Sequence, residues 1–395
     1  MNILVLSWNP GIGLNAGGFR YNKELLERKP KNVSIDILDV YPTYFNKKKI
    51  NVFEYKIPGF ILGIKKFSLV FERFLEWSYV FFYLLFKASK FIKSKKYDFI
   101  YVPYGELFFL SFSGSLIKIF QKVRYINCIL NVSVIGDNFT GYTNELKKMG
   151  YNFFTANIVS FFHLVLRWFI LKSLNFADFI FTCSNDLKSK INHVGFNGDV
   201  NVVPVGFEVD KYLVIPKKKV YDAVSIGRFS SEKGIFDLID VWRLVVKNKK
   251  DAKLLIIGAG DKMVVSQLKK LISDFGLTGN VLLAGSVSES KKFDYICKSK
   301  LLLFLSHIEG WGIVPFEALA CGLPVVAYDL SVYKETIKHC SSVFLLGRNF
   351  SLISKRVINL IDNYSNYINL SKNFVKDFSW KPVVKDFFNK INSLF

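Results

Sequence analysis

Short apolar runs alternate along this chain with longer stretches of helical spacing. Asn2–Trp8 is such a run, and the second half of the chain repeats it at Asp222–Gly227, Lys253–Gly260 and Asn280–Val287. Each run leads into a turn or loop, and a segment with helical spacing follows. Other predicted helices are Tyr21–Arg28, Phe153–Leu174 and Phe293–Lys298. Strands that alternate with helices predict parallel sheets covered by helices, which is an α/β fold.

The clearest unit of this pattern surrounds a glycine loop. Leu301–Leu305 predicts a buried strand, Ile313–Cys321 a helix, and Val325–Tyr328 the next strand. The loop before the helix contains Gly310 and Gly312. Its bare backbone N–H groups, at the positive end of a helix, suit an anion such as a diphosphate.

Two carboxylates belong to this unit, Glu309 in the loop and Glu317 on an otherwise apolar helix. A charge on such a helix is costly unless it is hydrogen-bonded. One interpretation is that Glu317 simply reaches solvent. The other is that both carboxylates accept hydrogen bonds from sugar hydroxyls on either side of a bound phosphate.

Two further strand-to-helix turns carry candidate chemistry. Asn9–Phe19 is a glycine loop without the G-x-G-x-x-G pattern, so a dinucleotide site is not predicted. Gly17 and Gly18 fit a loop that needs positive φ. Arg228 and Lys233 lie on the turn after a strand, either as phosphate ligands or as two surface cations.

Residues 309–318 are EGWGIVPFEA and residues 322–327 are GLPVVA. This segment resembles the signature of the retaining, nucleotide-sugar-dependent glycosyltransferases of the GT-B fold, family four. The resemblance implies an α/β fold of two Rossmann-like domains that face across a cleft. It implies transfer of a hexose-type sugar from a nucleotide-sugar to a saccharide or lipid-linked acceptor, in cell-envelope polysaccharide or glycolipid synthesis.

The resemblance also implies roles for individual residues. Arg228 and Lys233 would neutralise the leaving diphosphate, Glu309 would hold the sugar hydroxyls as the third catalytic residue, and Glu317 would hold the ribose. The donor-binding set is Gly17, Gly18, Gly227, Val287, Gly310, Trp311, Gly312, Ile313, Val314 and Glu317. The histidine that many members carry on the acceptor side is missing here. Asp137 and Asn138 are acceptor-side candidates by position alone, and Asp137 also fits a turn.

The domain boundary is expected in the polar, basic segment Val214–Val220. We therefore predict an acceptor-binding domain over 1–213 and a nucleotide-sugar-binding domain over 214–375. Residues 378–380, FSW, resemble the family's C-terminal signature. From that resemblance, 376–395 are expected to form a helix that crosses back to the first domain.

The formal charge of +22 favours acidic partners such as nucleotide phosphates, anionic lipid headgroups or nucleic acid. A basic nucleic-acid-binding protein is a remote alternative, because no basic helix with interleaved aromatic residues forms a recognisable binding module. A nucleotide-sugar epimerase or hydrolase on the same fold is the nearer alternative, since a fold does not determine a reaction.

The histidines, acidic residues and cysteines of the sequence indicate which cofactors and which cellular compartment to expect. The four histidines have no metal-ligand spacing and there is no D-x-D, so neither a metal nor a cofactor is expected besides the nucleotide-sugar co-substrate. Five scattered cysteines indicate a reducing compartment, and the chain starts in a strand without a secretory leader pattern. We expect a cytoplasmic protein.

The most membrane-like stretch is Phe67–Lys96, whose uncharged core, Trp77–Phe86, is too short to span a bilayer. Lysines follow the core directly, so a helix here would suit the headgroup interface of an anionic membrane. The alternative is a buried helix of the first domain with a solvated basic end. A peripheral position on the cytoplasmic membrane face therefore stays open.

Overall fold

The computed structural model describes residues 1–8, 17–39, 45–58, 61, 69–130, 143, 147, 152–193, 195–196, 198–208, 218–376 and 378–394. The chain divides into two compact units. Unit 1 comprises Met1–Phe139, Asn157–Pro204 and Trp380–Phe395. Unit 2 comprises Thr140–Ala156 and Val205–Ser379.

Unit 1 contains a parallel sheet of seven strands in the order β3-β2-β1-β4-β5-β6-β7. Its apolar strands are mostly buried, as expected for a parallel sheet covered on both faces. The register places Ile3 beside both Ile35 and Phe99. The strands are β1 (Asn2–Leu6), β2 (Ser34–Asp39), β3 (Asn51–Glu54), β4 (Phe99–Val102), β5 (Arg124–Ile129), β6 (Phe179–Thr182) and β7 (Asp199–Val202).

Among the described residues, five helices connect these strands or follow them. The fourth begins in the residues grouped with unit 2 and continues into unit 1. The helices are α1 (Gly17–Glu27), α2 (Leu69–Ser94), α3 (Phe108–Gln121), α4 (Phe153–Leu174) and α5 (Asn185–His193).

Unit 2 contains a parallel sheet of six strands in the order β10-β9-β8-β11-β12-β13. Its strands are β8 (Tyr221–Ile226), β9 (Leu254–Ile257), β10 (Val281–Gly285), β11 (Ser299–Phe304), β12 (Val325–Tyr328) and β13 (Val343–Leu346). Its helices are α6 (Ile235–Asn248), α7 (Lys262–Asp274), α8 (Glu289–Cys297), α9 (Ile313–Ala320), α10 (Ser331–Thr336), α11 (Phe350–Asn363) and α12 (Ile368–Val375). The final helix, α13 (Trp380–Asn392), belongs to unit 1, where Trp380 packs near the ring of Tyr21.

In both sheets the chain starts at an inner strand, extends to one side and then continues on the other. The strand order therefore reverses between β1 and β4 and again between β8 and β11. In open α/β sheets, ligands bind beyond the carboxyl ends of the strands at such a reversal. The two parallel sheets confirm the predicted α/β class.

One predicted boundary was wrong in a way that matters for the site. The helix expected from Tyr21 begins at Gly17, so Gly17 and Gly18 form the first turn of α1. Neither glycine is among the described residues with positive φ. The interpretation that they supply a left-handed loop conformation is therefore wrong, and the approach to the donor phosphates that the resemblance implies stays a prediction.

Candidate active site

The strand-order reversal in unit 2 brings two loops together. The loop after β8 carries Lys233 and the loop after β11 carries Glu309. Lys233 Nζ donates to Glu309 Oε1 at 2.6 Å and lies 3.3 Å from the carbonyl oxygen of Ile308. Both side chains are partly buried. A cation and a carboxylate are thus held side by side beyond the sheet, where a phosphate and a sugar hydroxyl would each find a partner.

A second set of contacts fixes the loop of Glu309. The backbone N–H of His307 donates to the carbonyl oxygen of Glu232 at 2.8 Å. His307 Nε2 lies 2.8 Å from Asp237 Oδ2, and the Tyr328 hydroxyl donates to the same oxygen at 2.6 Å. Burial opposes ionisation of Asp237, yet these two hydrogen bonds, together with the charges of His307 and Arg348, outweigh it and lower the pKa of Asp237 below the ordinary value. The ionised carboxylate therefore ties the loop to α6.

Arg228 is placed differently from Lys233. Its side chain is 68% exposed, and its Nη2 lies 3.2 Å from Glu232 Oε2. An exposed pair of this kind is worth little to stability. The guanidinium therefore remains available to an incoming anion, beside Gly227 at the end of β8.

Glycine is required at two turns of this edge. Gly234 has φ 63°, and a Cβ there would lie 1.9 Å from the carbonyl oxygen of Leu305. Gly312 has φ 93°, and a Cβ there would lie 2.8 Å from Tyr333 Cε1. Gly312 is the N-cap of α9 and provides no side-chain cap, so the N-terminal N–H groups at Ile313 and Val314 suit an anion.

Glu317 is buried, with 1% of its side chain exposed, and its Oε1 lies 2.9 Å from Lys292 Nζ. The interpretation that it reaches solvent is therefore wrong. Lys292 also pairs with Glu289 at 3.0 Å. Sequence reasoning missed Lys292 because the predicted helix began at Phe293, whereas α8 begins at Glu289. The spacing of Glu289 and Lys292 on one helical turn was the available signal.

The remaining donor-side candidates surround this edge. The Trp311 ring is buried and stacks on Phe316, with the ring centroids 6.0 Å apart. Gly310 is partly buried in the same loop, and Val287 is partly buried in the loop between β10 and α8.

The corresponding edge of unit 1 holds different groups. Gly18, in the first turn of α1, lies near Leu130, where an added Cβ would lie 3.5 Å from Leu130 Cδ1. The rings of Phe19 and Tyr104 lie 4.5 Å apart. Asp137 and Asn138, the acceptor-side candidates, lie outside the described residues.

Glu106 is a carboxyl group at this edge that sequence reasoning missed. It follows β4, at the strand-order reversal, and its Oε2 is buried without a hydrogen-bond partner among the described residues. Burial raises its pKa to about 7, against the opposing effect of backbone hydrogen bonds from Glu106 itself and Leu130. The signal was an acidic residue just after an apolar strand, at Gly105-Glu106.

Among the described residues, no group of three or more His, Cys, Asp or Glu side chains is arranged to hold a metal ion.

Comparison with known proteins adds a family. The family described as glycosyl transferases group 1 matches residues 211–377. The poly(glycerol-phosphate) alpha-glucosyltransferase of Bacillus subtilis (strain 168) is 39% identical over 118 residues, which are 30% of this chain and 17% of that protein. The phosphatidyl-myo-inositol mannosyltransferase of Mycobacterium leprae (strain TN) is 29% identical over 161 residues, 39% of this chain and 42% of that protein. The chain thus matches less than half the length of these two relatives.

Solved structures resemble the chain over its full length. The crystal structure of Anabaena Alr3699/HepE in complex with UDP and glucose has a TM-score of 0.73 and 15% identity, and covers 100% of both chains. At that identity, the likeness concerns the fold.

Proposed function

Since the chain belongs to the glycosyl transferases group 1 family through residues 211–377 and has the GT-B fold, we propose that it is a retaining glycosyltransferase. It moves a hexose-type sugar from a nucleotide-sugar to a hydroxyl group of a saccharide or lipid-linked acceptor. The observation that carries the proposal is the contact of Lys233 with Glu309 at the strand-order reversal of unit 2.

In the proposed reaction, the bond between the anomeric carbon and the diphosphate oxygen breaks, and the diphosphate leaves with the electron pair. Lys233 and Arg228 neutralise its growing charge, assisted by the N–H groups at the start of α9. Stabilisation of this kind is commonly a large part of an enzyme's effect. The acceptor oxygen forms its bond to the anomeric carbon on the face from which the diphosphate departs, so the anomeric configuration is retained. The proton of the acceptor hydroxyl passes to the departing diphosphate oxygen, which lies on the same face.

The two carboxylates have separate roles in this proposal. Glu309 accepts hydrogen bonds from the sugar, and its contact with Lys233 orients both groups before the donor arrives. Glu317 accepts hydrogen bonds from the ribose, with Lys292 holding the carboxylate in place. Neither role requires a metal or another cofactor.

Glu106 is proposed as the acceptor-side carboxyl group. It follows β4 at the strand-order reversal of unit 1. A carboxyl group with a pKa of about 7 takes up or releases a proton at the pH of the cytoplasm, which suits contact with an acceptor hydroxyl.

The donor site is tested by a thermal-shift panel of UDP, GDP, ADP and their common sugars, without metal. We expect one nucleotide to stabilise the protein selectively, and UDP is the first to test because HepE was crystallised with it. Arg228→Ala should lose the shift, Glu317→Ala should weaken nucleotide affinity, and Glu309→Ala should spare it. Equal affinity of the wild type and Glu317→Ala would contradict the ribose role.

Product analysis with and without acceptor then separates the reaction classes. Transfer appears only when an acceptor is present. An epimerised or hydrolysed donor formed without an acceptor would replace the transferase proposal.

For the acceptor, we propose a cell-envelope saccharide or glycolipid, which the protein glycosylates at the cytoplasmic side of an anionic membrane. The names of the two curated relatives, which concern poly(glycerol-phosphate) and phosphatidyl-myo-inositol, support this class of acceptor. Within the described part of the chain, no helix combines the length and apolar character needed to cross a bilayer. The proposed contact with the membrane is therefore peripheral.

A further inference from the structure

The described helices of unit 1 expose large aromatic side chains. Phe82 and Phe86 on α2 are 67% and 74% exposed, and Phe120 on α3 is 72% exposed. On α4, Phe161, Trp168 and Phe169 are also exposed. Between 218 and 376, the exposed large apolar side chains are all aliphatic. An exposed apolar surface of this extent marks an interaction site.

Three of these exposed rings, Phe82, Phe169 and Trp168, belong to a continuous series of partly buried and exposed rings that crosses three helices. Adjacent ring centroids in the series lie 5.0 to 5.7 Å apart. We call this series the aromatic band, and its members in order are Phe82, Phe81, Phe112, Phe108, Phe169 and Trp168. Since it starts on α2, crosses α3 and ends on α4, the three helices present one broad surface, at whose end Lys172 lies over the Trp168 ring.

Cations continue the same surface. On α2, Phe82, Phe86, Lys90 and Lys93 follow at helical spacing and are exposed, so they share one face. Beyond Lys93, a cavity of about 550 Å³ opens between the ends of α2 and α3, and we call it the basic cavity. Its charged lining consists of Lys93, Lys95, Lys96, Lys122, Arg124 and Asp98.

The basic cavity carries more positive charge than the protein neutralises. Lys95 pairs with Asp36 at 2.7 Å, and the Arg124 guanidinium donates to the carbonyl oxygen of Leu394. The other cations of the lining are Lys93, Lys96 and Lys122, and the single carboxylate of the lining is that of Asp98. Such a surplus favours an anion.

The backbone of Lys122 supports this interpretation. Lys122 ends α3 in the left-handed conformation, with φ 53° and ψ 35°. Among the described residues that are not glycine, it alone has positive φ. Glycine usually occupies this position after a helix, because a side chain is strained there. A lysine kept at a strained position on the rim of the basic cavity indicates a use for its charge.

We propose that the aromatic band and the basic cavity dock on an anionic phospholipid bilayer. This inference rests on the proposed function, whose peripheral membrane contact it assigns to named residues. Headgroup phosphates enter the basic cavity, and the aromatic rings lie at the boundary between headgroups and acyl chains. Exposed aromatic residues beside lysines are the combination that this interface accommodates. A protein partner would require a complementary acidic and apolar surface, whereas an anionic bilayer offers both properties everywhere.

Co-sedimentation with vesicles tests the proposal, with phosphatidylcholine alone and with added phosphatidylglycerol. We expect binding that requires the anionic lipid and weakens as salt rises. Lys93→Glu with Lys96→Glu should lower the partition coefficient by at least about fivefold per lysine. Phe82→Ser with Phe120→Ser should lower it at least about tenfold. The matched controls are Lys269→Glu with Lys270→Glu, and Met263→Ser with Leu352→Ser, which alter exposed residues of unit 2.

A variant of Lys122 separates docking from folding. Lys122→Gly relieves the strain, so its melting temperature should stay the same or rise, by up to about 3 °C. Its binding to anionic vesicles should nevertheless fall about fivefold. Unchanged binding by this variant would overturn the role of the basic cavity.

Three other outcomes would overturn docking itself: no vesicle binding at low salt, equal binding to both lipid mixtures, or a dimer in solution that Phe82→Ser with Phe120→Ser converts to a monomer. The nucleotide thermal shift is measured on the same variants. An intact shift with failed docking would remove the membrane contact and leave the proposed transferase.

Discussion

The two sheets share one strand order over six strands, to which unit 1 adds a seventh, but the edges where the strand order reverses carry different groups. In unit 2, carboxylates at this edge are matched with lysines, Lys233 with Glu309 and Lys292 with Glu317. In unit 1, the edge carries Glu106, whose pKa burial raises to about 7, near aromatic residues such as Tyr104.

This difference corresponds to the two halves of the proposed reaction. A diphosphate that leaves with its charge needs cations fixed in advance, and a lysine fixed by a carboxylate provides one. An acceptor hydroxyl brings no charge and needs a group that can take a hydrogen bond or a proton. The shared strand order therefore offers one candidate site in each unit, at the edge where the order reverses. The residues after β4, β8 and β11 determine which reaction step each site supports.

The largest expected effect is at the unit 2 edge. Lys233→Ala removes the partly buried cation and leaves Glu309 without it, so we expect kcat to fall about 100- to 1,000-fold. Steady-state transfer assays measure this. The control is Lys249→Ala, which removes a lysine whose partner, Asp362, is exposed and distant in sequence. A loss in Lys233→Ala no larger than in the control would mean that unit 2 does not carry the charged half of the reaction.

The next prediction concerns the unit 1 edge and uses pH. If Glu106 contacts the acceptor as its ionised form, kcat of the wild type rises with pH through about 7. Glu106→Gln should be about 100-fold slower and lose that rise. A pH–rate profile of both proteins, with the same soluble acceptor, measures this. An unchanged profile in Glu106→Gln would assign the pH dependence to another group.

The pH dependence of the free energy of unfolding tests Glu106→Gln without a measurement of turnover. The folded pKa of Glu106, about 7, exceeds the ordinary 4.5, so the unfolded chain binds fewer protons between these values. The contribution of Glu106 to stability is therefore fully present below pH 4.5 and is lost as pH rises to about 7, a decrease of about 3 kcal/mol. Glu106→Gln should lack this decrease when denaturation is compared at pH 5 and pH 8.

Sequence periodicity predicted the strands and the longest apolar helices well, because burial determines them. The predicted bounds of Phe153–Leu174 agree with α4, and those of Val325–Tyr328 agree with β12. It missed α3, whose Ser111, Ser113 and Gly114 are poor helix formers. Tertiary packing explains them, since a Cβ at Gly114 would lie 2.5 Å from the ring of Tyr125.

In the candidate site, too, the sequence predicts the positions of strand ends but not contacts that depend on tertiary packing. The alternation of strands and helices predicts that Lys233 and Glu309 share an edge, although 76 residues separate them. It does not predict the partner of Glu317, because Lys292 comes from a different helix and its position depends on how α8 packs against the sheet. Glu106 was missed because its property arises from burial, which a single acidic residue in a loop does not reveal.

A backbone change at the unit 2 edge should have a smaller effect than the loss of its charged side chains. Gly312→Ala forces an alanine to φ 93° and brings its Cβ to 2.8 Å from Tyr333. We expect a loss of about 2 kcal/mol in the stability of unit 2, measured by calorimetry, together with weaker nucleotide binding. Gly347→Ala is the control, because a Cβ there meets nothing within 4 Å. Equal stability of the two variants would mean that the turn tolerates a side chain.

The smallest expected effect on stability is at the matching turn of unit 1. Gly18 is helical, and a Cβ there would make an ordinary contact with Leu130 at 3.5 Å. Gly18→Ala should therefore leave stability unchanged or raise it by about 0.5 kcal/mol. If the first turn of α1 approaches the donor or acceptor through bare backbone, turnover should still fall severalfold, while Gly279→Ala, at an open site of unit 2, changes neither quantity. Full turnover in Gly18→Ala would show that unit 1 contributes a carboxyl group but no close backbone contact, and would confine anion binding by backbone groups to unit 2.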